Sequence, residues 1–157
     1  MSRVQLALRV ADLDGSIAFY RKLFGVEPAK RRPGYANFVI AQPPLKLVLL
    51  EGAETRLDHL GVEVESTGQV AAAVARLAGE GLATDVEEGT TCCYAVQDKV
   101  WVTGPGGERW EVYSVLADSG AELAGQASVP GGGAENVDGA AGSAGSAAAA
   151  GVVGCCG

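Results

Sequence analysis

Positive charge is scarce in this 157-residue chain: 12 Lys and Arg stand against 19 Asp and Glu, giving a net charge of -7 and an isoelectric point near 4.7. A grip on phosphate backbones or anionic lipid needs clustered cations, so a nucleic acid or membrane-surface partner is not expected. No apolar run reaches the 18 or so residues that span a bilayer, and the opening MSRVQLALRV lacks the basic start, apolar core and small-residue cleavage site of a secretory leader. These absences predict a cytoplasmic protein. In that reducing compartment the four cysteines are expected as thiols, metal ligands or catalysts rather than cross-links, and all four fall in adjacent pairs, Cys92-Cys93 and Cys155-Cys156. Large apolar side chains also become rare after about residue 117, where Gly, Ala and Ser dominate. Such a segment buries too little surface to offset its ordering entropy. The organisation expected is one globular domain, 1–117, followed by a disordered tail, 118–157, ending in a Cys pair. The Ala147–Ala150 run within the tail is too short to hold a helix in water.

What remains is one pattern written twice. RVQLALRV alternates like a strand, and DLDGSIAFYRKLFG reads as a helix with Asp14 as N-cap, apolar Ile17, Tyr20, Leu23 and Phe24, and Gly25 just past its end. EPAKRRPG, YANFVIAQ and LKLVLLEG follow as three short strands. The second half repeats the order: strand LDHLGVEVES, helix TGQVAAAVARLAGEGL with Val70, Ala73, Val74 and Leu77 on one face, then ATDVEEGTTCCYAVQ, DKVWVTG and ERWEVYSVL. The fold class expected is therefore α+β, two βαβββ modules over about 3–51 and 57–116. Residues two apart on a strand share a face. Val4, Leu6, Leu8 and Val10 thus oppose Gln5, Ala7 and Arg9, while Leu60, Val62 and Val64 oppose His59, Gly61 and Glu63. On the last strand Trp110 and Val112 oppose Glu111 and Tyr113. Each apolar set is expected against the helices, with Gln5, His59 and Glu111 turned into the opposite concavity.

The segments LRVADLDGSIAFYRKLFG and WVTGPGGERWEVYSV resemble the vicinal-oxygen-chelate superfamily of glyoxalases, fosfomycin-resistance proteins and extradiol dioxygenases, over about residues 3–116. The resemblance implies paired βαβββ modules curled into a cup around a divalent metal, with ligands on the first and last strands of the modules. Carried onto this chain, that pattern falls on Gln5, His59 and Glu111, and the fourth position used by glyoxalases falls near Val48, which is apolar. Three ligands leave coordination positions open for dioxygen or substrate, as in non-heme iron enzymes. The departure is Gln5, a neutral oxygen donor where a second imidazole is usual.

Read by themselves, Cys92 and Cys93 fit several roles. Consecutive residues of a regular strand point to opposite faces, so both thiols reach one ligand only from a loop or bulge, which the preceding EEGTT could supply. Two buried small apolar residues, or a vicinal disulfide acting as a redox switch, fit equally. Beside the ligand triad, however, TTCCYAVQDKVWV resembles the carbon-arsenic lyases of this superfamily, relatives of the cadmium-induced proteins. That resemblance implies an Fe(II) site that activates dioxygen and a Cys92-Cys93 pair that captures a trivalent organoarsenical, methylarsenite or a trivalent aromatic arsenical, so that arsenite is released. Tyr94, Trp101, Phe38 and Tyr113 are candidates for the cup wall, with Tyr94 and Trp101 placed against substrate; Lys99 would favour thiolates if it lies near them. Cys155 and Cys156 are a candidate substrate relay on a tail spanning roughly 35 Å. The alternatives are a non-catalytic thiol protein that binds metalloids or cadmium, and a fosfomycin-type thiol transferase, for which the chain has few basic groups to hold a phosphonate. The assembly is expected to be a monomer or homodimer.

Overall fold

Both modules join in one eight-stranded mixed sheet, described here from a computed structural model covering residues 2–92 and 94–118. Cys93 and the segment 119–157, with the expected tail, the Ala147–Ala150 run, Cys155 and Cys156, lie outside the described residues. The first module runs β1 (Arg3–Val10), α1 (Leu13–Phe24), β2 (Lys30–Arg32), β3 (Tyr35–Ile40) and β4 (Leu45–Glu51). The second runs β5 (Arg56–Glu63), α2 (Thr67–Gly79), β6 (Thr84–Cys92), β7 (Ala95–Thr103) and β8 (Arg109–Asp118). The spatial order is β2-β3-β4-β1-β5-β8-β7-β6, so the two modules meet edge to edge where β1 pairs antiparallel with β5. Each first strand also lies parallel to the last strand of its own module, β1 with β4 and β5 with β8. This confirms the paired βαβββ architecture. Among the described residues, no helix is long and apolar enough to cross a membrane.

The helices lie on one face of the sheet. α1 begins one residue before the expected cap: Asp12, not Asp14, has extended backbone and accepts from the Gly15 N–H at 2.9 Å. The earlier start puts Leu13 on the buried stripe with Ile17, Tyr20 and Phe24, at helical spacing. Leu23 falls off that stripe and is exposed. Asp14 instead sits in the first turn, where its charge suits the helix dipole, and pairs with Arg31 at 2.6 Å. Gly25 closes the helix in the left-handed region (φ 66°), its N–H bonding the Arg21 carbonyl. α2 is capped by Ser66 and buries Val70, Ala73 and Leu77 against Val100.

Alternation decides which aromatic goes where. Ala36, Phe38 and Ile40 share the helix-facing side of β3, and Phe38 packs in the α1 core with Ile17 and Tyr20 rather than on the cup wall where it was expected. Tyr35 takes the cup side, clustered with Ala7, Val48 and Leu50.

Candidate functional site

Register brings the three expected ligands together at the centre of the sheet. Gln5 on β1 is opposite Gly61 on β5, which is opposite Glu111 on β8, while His59 on β5 is opposite Ala7 on β1. All three are buried, at 5% exposure for Gln5 and His59 and 3% for Glu111. Gln5 Nε2 donates to Glu111 Oε1 at 2.7 Å and lies 3.1 Å from His59 Nε2, which is 3.3 Å from Glu111 Oε1. Gly61 permits this approach. A Cβ there would meet Glu111 Cγ at 3.1 Å, Gln5 Cβ at 3.2 Å and Gln5 Nε2 at 3.3 Å, so any side chain on β5 at this point would wedge the two apart. The sequence reading missed Gly61, whose value depends on register across three strands.

The arrangement fits a metal. Ligand atoms ~2.1 Å from an ion and at right angles to one another stand about 3 Å apart, and the separations among His59 Nε2, Glu111 Oε1 and the inner atom of the Gln5 amide, here Nε2, straddle that value. Among the described residues no group of three His, Cys, Asp or Glu is placed to hold a metal, so a metal held here by three protein donors would need the Gln5 side chain as the third. Val48, beside Ala7 on β4, is apolar and buried and supplies no fourth donor.

Of the partners around the triad, Trp101 and Tyr113 were expected on the cup wall and Lys99 near the thiols, whereas Asp58 was not foreseen. A bulge between β1 and β5 leaves Asp58 as the extra residue, and its Oδ2 reaches Nδ1 of its neighbour His59 at 2.6 Å while Oδ1 accepts from Arg9 Nε at 2.7 Å. A carboxylate on Nδ1 keeps the proton there and leaves Nε2 to face the centre. Burial disfavours charging of His59, but the carboxylates of Glu111 and Asp58 outweigh it and hold the imidazole pKa above its ordinary value. Burial likewise opposes ionisation of Glu111, yet the contacts with His59 and Lys99 keep its pKa below the usual range. Lys99, 1% exposed, donates to Glu111 Oε2 at 2.9 Å, leaving Oε1 for the centre. Lys99 thus acts on the carboxylate ligand. Tyr113 is fully buried on the same face, and burial together with the Glu63 and Glu111 charges pushes its hydroxyl far above the ordinary phenol range. Trp101 stacks edge-on against His59 with centroids 5.3 Å apart, so it does line the site.

The strand boundary at the cysteines differs from expectation. β6 ends at Cys92 and β7 begins at Ala95, so Tyr94 falls in the connection between the two strands, while EEGTT is a bulge inside β6 rather than a loop. Tyr94 takes the left-handed conformation (φ 65°), which Asn or Gly would normally announce. Cys92 is buried and pairs with Ala95, which alternates with Gln97, Lys99 and Trp101 along β7. Cys92 therefore lies on the cup face, the face that carries the triad. Tyr94 ties the hairpin tip to the opposite rim: its ring is 5.5 Å from Tyr35, its hydroxyl donates to the Pro33 carbonyl at 3.2 Å, and its own carbonyl accepts from Lys30 at 3.4 Å. Three buried polar atoms, Asn37 Oδ1, Gln97 Oε1 and Trp101 Nε1, have no hydrogen-bond partner among the described residues.

Known proteins share this organisation. The chain is 71% identical over 122 residues to a trivalent organoarsenical cleaving enzyme of Thermomonospora curvata, covering 76% of this chain and 81% of that one. It is 69% identical over 121 residues to the cadmium-induced protein CadI of Mycobacterium bovis, covering 76% and 80%. Among solved structures, the Mn(II)-bound glyoxalase of Novosphingobium aromaticivorans superposes with a TM-score of 0.57 at 24% identity, over 74% of this chain and 41% of that one. The H200Q variant of homoprotocatechuate 2,3-dioxygenase from B. fuscum gives 0.54 at 19% identity, over 76% and 34%; both likenesses concern the fold. The family profile matches residues 3–112, and with two βαβββ modules sharing one curled sheet, the chain belongs to the glyoxalase/bleomycin resistance protein/dioxygenase superfamily.

Proposed function

We propose that this protein is a carbon-arsenic lyase that uses Fe(II) and dioxygen to cleave trivalent organoarsenicals to arsenite. The observation that carries the reading is the placement of Cys92 on the same sheet face as buried, converging Gln5, His59 and Glu111. The 71% identity to an organoarsenical cleaving enzyme supports the substrate class.

In this reading Gln5 Oε1, His59 Nε2 and Glu111 Oε1 would hold Fe(II), which would supply a site for dioxygen and the redox chemistry that activates it. Each protein group has a separate task. The Cys92 and Cys93 sulfurs take the arsenic as a dithiolate, displacing its hydroxyls as water, because a soft trivalent metalloid prefers thiolate to oxygen. Holding the arsenic at the hairpin aims its carbon substituent along the cup, and such positioning is worth ~7 kcal/mol or more when the reacting atoms align. Asp58 keeps the His59 proton on Nδ1, and Lys99 confines Glu111 to one inward oxygen. Trp101 and Tyr35 exclude water beside the reacting carbon, and Tyr94 holds the thiol-bearing turn against β2 and β3. The carbon group leaves oxidised and arsenic leaves as arsenite.

The test is aerobic incubation of the Fe(II)-loaded protein with methylarsenite, following oxygen uptake and arsenite release. Cys92→Ser, Cys93→Ser and Glu111→Ala are each expected to abolish release, with metal content falling only in Glu111→Ala. Organoarsenical binding without oxygen uptake would overturn the lyase reading in favour of thiol-based sequestration.

A further inference from the structure

The Gln5 amide faces the wrong way for a ligand. Its Nε2 points to the centre, donating to Glu111 Oε1 and approaching His59 Nε2, while its Oε1 accepts from the Tyr113 hydroxyl. An amide binds a cation only through its oxygen, so a half-turn of the amide must accompany metal binding. The half-turn stays within the same volume, and its feasibility depends on what the outer end then meets.

That outer partner is built for both orientations. Tyr113 has one hydroxyl hydrogen and two acceptors in reach, Gln5 Oε1 and Glu63 Oε2 at 2.9 Å. With Nε2 inward, the tyrosine hydrogen goes to Gln5. With Oε1 inward, Gln5 Nε2 donates to the tyrosine oxygen and the tyrosine hydrogen turns to Glu63, so each of these hydrogens has its own acceptor. Glu63 is fixed as an acceptor by Arg3 and Lys46, each 2.8 Å from one of its oxygens. Lys46 also lies 5.0 Å over the Tyr113 ring.

Resting on the metal site proposed above, we propose that Tyr113, backed by Glu63, is the positioning residue that turns the Gln5 amide oxygen toward the metal. The pair lets a glutamine serve where an imidazole would need no such turning. It also gives the metal-free site a closed hydrogen-bond set of its own, in which the amide NH₂ bridges Glu111 and His59.

The experiment is an anaerobic titration of the full chain with Fe(II) against a chromophoric chelator, with circular dichroism melts to confirm folding. Tyr113→Phe removes the acceptor for Nε2. Glu63→Met leaves the tyrosine hydrogen with Gln5 Oε1 alone and holds the amide oxygen outward. Each is expected to weaken Fe(II) binding by ~10- to 100-fold, the usual scale for groups that orient a ligand. In a Gln5→His background, where no amide has to turn, the same substitutions are expected to change affinity by less than about 3-fold. Glu63→Met carries the test if Tyr113→Phe melts below the working temperature. Unchanged affinity in the variants, or a loss that persists undiminished in Gln5→His, overturns the proposal. Failure of the parent chain itself to bind Fe(II) would instead remove the metal site on which it rests.

Discussion

Glu111→Gln takes from buried Lys99 its carboxylate partner, and the cost can be worked from the structure. Lys99 and Glu111 are 1% and 3% exposed and 2.9 Å apart. At an effective dielectric of ~20 their gross attraction is roughly 6 kcal/mol, most of it spent on removing both ions from water. Deleting one partner of a buried ion pair typically costs ~3–5 kcal/mol. Two features pull the value to the lower end: glutamine keeps an oxygen for Lys99 to donate to, and Lys99 Nζ also lies 5.2 Å over the Trp101 ring. The expected loss is therefore about 3 kcal/mol, or a fall of ~1.5 M in the urea midpoint at a slope of about 2 kcal/mol/M. The assay is urea unfolding followed by circular dichroism with a chelator present, since bound metal would add its own stabilisation. Glu111→Gln/Lys99→Met removes both charges and should recover most of the loss. A single variant within about 1 kcal/mol of the parent, or a double variant no more stable than the single, would refute a desolvated pair at this point.

Other expectations follow from the same network. Gly61→Ala places a methyl within 3.1–3.3 Å of Glu111 and Gln5, so Fe(II) affinity should fall and stability drop by ~1–3 kcal/mol, read by chelator competition and urea unfolding. Asp58→Asn removes the charge and leaves one oxygen where two serve His59 Nδ1 and Arg9 Nε, so it should weaken Fe(II) binding by ~10- to 100-fold, read by chelator competition. Burial opposes ionisation of Glu63, but Lys46, Tyr113 and Arg3 outweigh it, so its pKa is lowered in the fold. The stability from that lowering is fully present above the ordinary value of 4.5 and is lost as pH falls through the depressed folded value. Melting temperatures of wild type and Glu63→Gln should differ by a constant amount above pH ~5 and draw together as pH falls below the ordinary carboxylate value; a gap that does not narrow on acidification would count against the shift. Phe38→Ala should cost ~3–5 kcal/mol, because its ring is fully buried under α1.

The modules were legible in the sequence because their signals are local and periodic, whereas the choice of Gln5, His59 and Glu111 as a ligand set came from the superfamily resemblance. Alternation on β1, β5 and β8 separates Gln5, His59 and Glu111 from their apolar neighbours, and repetition of the pattern sets them on matching strands. Phe38 went astray for want of one fact, the phase of β3 relative to α1, which period-two alternation leaves undetermined. The cap moved from Asp14 to Asp12 because both carry the same side chain two residues apart, and only burial of Leu13 decides between them. The hairpin connection was hidden by its residues, since Tyr94 holds a positive φ with none of the composition that signals one. The bulges that place Asp58 beside His59 and open β6 at Gly89 depend on pairing between strands far apart in sequence. Tyr113, Gly61 and Lys99 belong with them, because each acts through a neighbour on another strand.

Charge explains why an amide, a lone carboxylate and a pair of thiols suit one another in the proposed lyase. Glu111 is the only anion among the three ligands, and Lys99 already offsets it at 2.9 Å. Asp58 is offset in turn by Arg9, and Glu63 by Arg3 and Lys46. A divalent ion at the triad would therefore keep nearly its full charge inside a buried pocket, where attraction falls off slowly. A second imidazole in place of Gln5 would bind the ion more firmly without reducing that charge, and a second carboxylate would reduce it. The neutral amide is thus the donor that leaves the ion weakly neutralised, drawing electron-rich ligands to its open positions. Anionic groups and reduced oxygen species are such ligands, so the neutral amide would suit the ion to the chemistry proposed for it, while Cys92, on the same face of the sheet, would take the arsenic.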